Sequence, residues 1–146
     1  MIKCYTDASF DPKSNTAIIG WKINKQNLRI NVLKNTTNIR AEIVSLINLL
    51  ENLELDKNYI IYTDCQSVLN RIESKELLIK KNFMTNKGKE LGNADLYRKL
   101  FDLLTPNIKL IHIDGHLPVN LKDDDDKEFS DLDKRVRQEL RKIVKK

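Results

Sequence analysis

Cysteine is nearly absent from this chain. Cys4 and Cys65 are the only two, and they sit in no CxxC or CxxxxH spacing, so neither a zinc site nor a disulfide framework is readable. Reduced thiols and a cytoplasmic location are expected. Long apolar runs are missing as well. Nothing approaches the roughly 18 apolar residues of a membrane span, and the opening MIKCYTD carries no apolar stretch of the signal-peptide kind. No membrane partner is expected. No internal repeat or low-complexity linker breaks the 146 residues, so one domain over residues 1–146, acting as a monomer, is the expectation. Charge of one sign does not dominate either, with 26 Lys and Arg against 21 Asp and Glu. The distribution is uneven, however: KKNFMTNKGK and KRVRQELRKIVKK are basic, whereas DDDD is acidic. Such basic stretches point to a polyanionic partner.

What is present is a regular order of patterns. Ile2 to Ser9, Ala17 to Lys25 and Leu28 to Leu33 are short runs rich in β-branched and aromatic residues, separated by DPKSN and a polar KQN, and they read as consecutive antiparallel strands. RAEIVSLINLLENLEL has apolar residues at 43, 46, 47, 50 and 53, the spacing of one helical face. Tyr59 to Thr63 predicts a strand ending at Asp64, and CQSVLNRIE a helix after it. Lys75 to Gly92 is basic and weakly periodic. ADLYRKLFDLL predicts a helix closed by Pro106, IKLIHI a strand, and the residues from about Ser130 a terminal helix. Antiparallel strands followed by strands alternating with helices imply an α/β fold with a mixed sheet and helices on both faces. Ligands in such sheets sit at the carboxyl ends of central strands, where Asp64 falls.

Several carboxylates face the wrong way for solvent. Counting about 100° per residue, Glu42 falls inside the apolar arc of its helix. It is open to two readings, a first-turn acid complementing the helix dipole or a residue aimed at a site. On the terminal helix, Asp133 lies within the arc of Leu132, Val136, Leu140, Ile143 and Val144, while Asp131 lies opposite. Asp7 is a lone charge in the strand IKCYTDASF. A buried acid needs a cation, a proton or a donor. Taken together, Asp7, Glu42, Asp64 and Asp133 point to oxygen ligands around hard divalent cations such as Mg²⁺ or Mn²⁺.

The pieces YTDAS, TTNIRAEI, IIYTDCQS, KKNFMTNKGKELGNADLY, IHIDGH and LDKRVRQEL, in that order, resemble the type 1 ribonuclease H family, including the retroviral ribonuclease H domain. The resemblance implies a ribonuclease H-like, five-stranded mixed sheet and a metal-dependent endonuclease. Its substrate would be the RNA strand of RNA/DNA hybrids. The implied catalytic acids are Asp7, Glu42, Asp64 and Asp133, holding two Mg²⁺ or Mn²⁺ ions, with His116 as a mobile-loop histidine. It also implies a DNA-phosphate pocket at Thr37 and Asn93, a minor-groove contact at Asn38, and a basic protrusion carrying Lys80, Lys81, Lys87 and Lys89 with Phe83.

The match has departures. DPKSNTA stands where many members carry a glycine-rich turn, Ile39 where the family has Asn or Gln, and Asn35 where some have a basic residue. The missing glycine turn and Ile39 favour the rival expectation, a noncatalytic nucleic-acid-binding module, whereas retention of every acid favours the enzyme. Ile39 and Asn35 imply weaker binding rather than lost chemistry. The tetra-aspartate lacks the glycine and alternating ligands of an EF-hand and reads as a solvated, mobile acidic loop.

Overall fold

A computed structural model of the chain describes residues 1–114 and 123–144. Three antiparallel strands come first: β1 (Ile2–Asp11), β2 (Thr16–Ile23) and β3 (Arg29–Leu33). The β1–β2 turn is shaped by Asp11, whose carboxylate accepts from the Ser14 backbone N–H at 3.1 Å and hydroxyl at 2.6 Å. Asn15 then takes a left-handed φ of 54°. Helix α1 (Asn38–Glu51) follows, then β4 (Tyr59–Thr63), α2 (Gln66–Glu73), α3 (Lys75–Lys80), α4 (Ala94–Leu103), β5 (Ile108–His112) and α5 (Asp124–Val144). The strands form one five-stranded sheet in the order β3-β2-β1-β4-β5, with β4 and β5 parallel to β1. The fold is the expected α/β mixed sheet with helices on both faces.

Side chains alternate across β1, so each face receives its own core. On one side α1 and α4 cover Cys4 and Ile61 with Ile43, Leu46, Leu49, Leu50, Leu100 and Phe101. On the other, α5 packs Phe129, Leu132, Val136 and Leu140 against Tyr5 and Ile18. A Cβ on Gly20 of β2 would lie 2.6 Å from Val136 Cγ1 and 3.0 Å from Leu132 Cδ1. Glycine here lets α5 approach the sheet.

Three expectations are corrected by the elements themselves. Helix α1 ends at Glu51, although the periodic pattern runs on through Leu53, because Leu53 still packs on the core after the chain has left the helix. Helix α3 occupies part of the stretch read as basic and weakly periodic. The tetra-aspartate is not a solvated loop, since α5 begins at Asp124 rather than near Ser130. Asp123 and Asp126 cap that start reciprocally: the Asp126 N–H donates to Asp123 Oδ1 at 2.8 Å and the Asp123 N–H to Asp126 Oδ2 at 3.0 Å. Asp125 turns inward and accepts from Tyr5 Oη at 2.7 Å, Tyr62 Oη at 3.0 Å and Lys3 Nζ at 3.1 Å.

Candidate metal centre

Strand pairing decides where the acids meet. The β1–β4 ladder ends at Tyr5 and Tyr62, while β1 continues alone with β2, in which Asp7 faces Gly20. Asp7, on β1 just beyond that ladder, and Asp64, just after the carboxyl end of β4, therefore lie where the parallel pairing stops, the kind of place where such sheets open a crevice. Beneath them α1 is pinned to the sheet: Ser45 Oγ lies 3.2 Å from the Asp7 carbonyl, 3.0 Å from the Gly20 carbonyl and 2.7 Å from Thr6 Oγ1. That attachment brings Glu42, one turn earlier, up to the same point.

Carboxylate oxygens of Asp7, Glu42 and Asp64 all lie within 4.8 Å of one another. Asp7 is 3% exposed and Glu42 8%. Burial, followed by the charges of Glu42, Asp64 and Asp133, raises the Asp7 pKa well above the ordinary value. Burial and then Asp64 push Glu42 up to about 8, against a smaller opposing effect of the Ala8 backbone and Cys65. Asp7 Oδ2 and Glu42 Oε1 are buried with no hydrogen-bond partner among the described residues. A native fold rarely leaves such oxygens unmatched, and an all-oxygen donor set of this charge fits a hard divalent cation.

Asp133 reaches the cavity from α5. It lines a space of about 350 Å³ with Asp7, Glu42, Asp64, Asn38, Ile39 and Cys65, and Arg137, one turn along, donates to its Oδ2 at 2.6 Å. Asp131 is exposed on the far side of the helix. His116 lies outside the described residues.

The expected substrate contacts are only partly assembled. Thr37 is the N-cap of α1, its hydroxyl accepting from the Arg40 N–H at 3.2 Å. Arg40 then spans to Asn93, donating to Oδ1 at 3.4 Å, and grips both oxygens of Asp95 at 3.1 and 2.8 Å. Thr37 and Asn93 thus stand on either side of Arg40, which sequence reasoning passed over although it lies within the motif TTNIRAEI. Asn38 is exposed beside Ile39 at the cavity. Lys80, Lys81, Lys87 and Lys89 are exposed at the end of α3 and along the turn after it, where the Thr85 N–H donates to the Lys89 carbonyl at 2.7 Å.

Phe83 departs from expectation. It is 5% exposed, 5.8 Å from the Phe101 ring between centroids, with the Arg98 guanidinium 4.3 Å above its own centroid. Its backbone takes a left-handed φ of 58°, and the ring packs into the core. It anchors the basic segment to the core and presents no ring to a ligand.

A curated Ribonuclease H of Caldicellulosiruptor saccharolyticus is 31% identical over 86 residues, which span 57% of this chain and 59% of that protein. The chain resembles the solution structure of the PFV RNase H domain with a TM-score of 0.78 at 24% identity, covering 94% of this chain and 92% of the other. It also resembles a foamy viral protease-reverse transcriptase, solved in complex with dsDNA, with a TM-score of 0.71 at 17% identity, over 94% and 90% of the two chains. At those identities the two structures establish the fold. The RNase H family model matches residues 1–135, a span that runs from β1 through the α5 turn bearing Asp133, and the chain belongs to that family.

Proposed function

We propose that this protein is a metal-dependent endonuclease that hydrolyses the RNA strand of RNA/DNA hybrids, with Asp7, Glu42, Asp64 and Asp133 holding two Mg²⁺ or Mn²⁺ ions. The observation that carries this reading is the pair of buried oxygens, Asp7 Oδ2 and Glu42 Oε1, unpartnered among the described residues on two acids that line one cavity. The family, and the name of the relative from Caldicellulosiruptor saccharolyticus, support the reaction class.

Asp7, Glu42, Asp64 and Asp133 would hold the divalent cations, which would supply an activated water near neutral pH and neutralise charge developing on the departing 3′-oxygen. The chain's own part is positioning and charge. Asp7 and Glu42 are locked by β1 and α1, so their oxygens need no rearrangement to bind. Asp64 adds a third carboxylate from the end of β4. Asp133, less buried and tethered to Arg137, completes the set from α5. Products would carry 5′-phosphate and 3′-hydroxyl ends, and His116 would assist proton transfer or product release.

For the substrate, Thr37 and Asn93, with Arg40 between them, would receive a DNA-strand phosphate, and Asn38 would reach the minor groove. The lysines at 80, 81, 87 and 89 would hold the duplex by charge. The nucleic-acid complex of the foamy viral neighbour supports a duplex partner.

Single-turnover cleavage of one hybrid by Asp7→Asn, Glu42→Gln and Asp64→Asn tests the reading. Each should lose about a hundredfold or more in rate, with thermal stability in EDTA equal to or above wild type because repulsion is relieved. Full activity in any one of them would remove that residue from the site. Tight hybrid binding without cutting by the wild-type protein would leave a noncatalytic module, the reading that Ile39 in the cavity favours.

A further inference from the structure

Phe83 sits in a backbone conformation that its own side chain opposes. Helix α3 closes in an ordinary way just before it: the Asn82 N–H donates to the Ile79 carbonyl at 3.0 Å and the Phe83 N–H to the Leu78 carbonyl at 2.8 Å. An Asn at a left-handed φ of 52° is usual at that closing position. A bulky residue directly after it, itself at a left-handed φ of 58°, is not. Such an angle persists only where neighbours over-determine it, and ligand clamps are among the places where it occurs.

Arg98 of α4 supplies that constraint. Its guanidinium stacks 4.3 Å from the Phe83 ring centroid, and its Nη1 and Nη2 donate at 3.4 Å to the side-chain and backbone oxygens of Asn82. Nη2 also lies 4.0 Å from Glu90 Oε2, and Glu90 pairs back with Met84 across the turn. One planar fork thus touches the chain where it enters the lysine-bearing turn and where it leaves. Lys80 and Lys81 directly precede Asn82, and Lys87 and Lys89 lie inside the turn. We propose that Arg98 is a positioning residue for nucleic acid: it fixes the base of this turn, so that the lysines meet a duplex already ordered. The inference rests on the reading of those lysines as the charge that holds a duplex. Ordering them beforehand removes a cost that binding would otherwise carry. Arg98→Lys keeps the charge but loses both the planar fork and the stack, so it should not substitute.

The test compares the full wild-type chain with Arg98→Ala and Arg98→Lys, each checked for its fold by circular dichroism and kept in EDTA to prevent cleavage. Hydrogen exchange first reads the free protein. Both variants should lose about tenfold or more of the protection at the Phe83, Thr85 and Leu91 amides, whose bonds close the turn, and keep it along β1. Affinity for one labelled RNA/DNA hybrid should then fall about threefold to tenfold in both. Its dependence on salt should stay the same, since the lysines still release their counterions. Unchanged protection, or a hybrid affinity equal to wild type, would overturn the proposal. So would a salt slope lowered by about one phosphate contact in Arg98→Ala and restored in Arg98→Lys, the mark of a direct charge contact. A wild type that binds no hybrid would remove the duplex reading and this proposal with it, an outcome distinct from variants that bind as well as wild type.

Discussion

A buried carboxylate oxygen without a donor is costly, and among the described residues two of them belong to Asp7 and Glu42, which line one cavity. That cost is the residue-scale mark of the site. Asp133 belongs with them because it lines the same space, whereas Asp131, two residues earlier, faces solvent. Asp133→Asn should therefore sharply reduce metal-dependent cleavage of a hybrid while the protein remains folded, and Asp131→Asn should change it little. Single-turnover rates of the two variants check this, and the reverse order would move the assignment to Asp131. The helical period alone was enough to separate these two acids. It could not place Phe83, because that residue lies beyond the end of α3, in a left-handed backbone conformation that no periodic pattern encodes, yet packs in the core. Nor could it find the bridge from Arg40 to Asp95, whose partners are 55 residues apart.

At the scale of elements, strand and helix order were legible because β-branched runs and 3.6-residue spacing survive in a single sequence. The start of α5 was not. Its cap pairs Asp123 with Asp126, where the usual reciprocal cap joins Ser or Thr to Glu or Gln. Its anchor also comes from Tyr5 of β1, 120 residues away. Burial raises the pKa of Asp125, but bonds from Tyr5, Lys3 and Tyr62 outweigh it and hold the carboxyl below its ordinary value. A lowered acid pKa adds stability that is present above the unfolded value and is lost as pH falls through the folded one. At neutral pH, Asp125→Asn should cost about 1–3 kcal/mol, since two part-buried hydroxyls lose a charged acceptor. The difference from wild type should shrink below about pH 4, where the unfolded carboxyl takes up its proton. Urea unfolding of both proteins at neutral and acid pH checks this, and a gap independent of pH would show that the Asp125 charge is not what holds α5.

For the whole molecule, a formal net charge of +5 coexists with a cluster of carboxylates. Lysines 80, 81, 87 and 89 are exposed, and reversing their charge should weaken duplex binding and flatten its dependence on salt, because fewer counterions are released. Melting without duplex should change little, since these side chains face solvent. An unaltered salt slope would reassign the segment to plain solvent exposure. The central claim is that this carboxylate cavity drives metal-dependent hydrolysis of RNA paired to DNA. Its most direct test is to incubate end-labelled RNA/DNA, RNA/RNA and DNA/DNA duplexes of one sequence with the protein in Mg²⁺, in Mn²⁺ and in EDTA. Cleavage confined to the RNA strand of the hybrid, and abolished by EDTA, is the expected result; equal cutting of all three duplexes, or cutting that persists in EDTA, would contradict it.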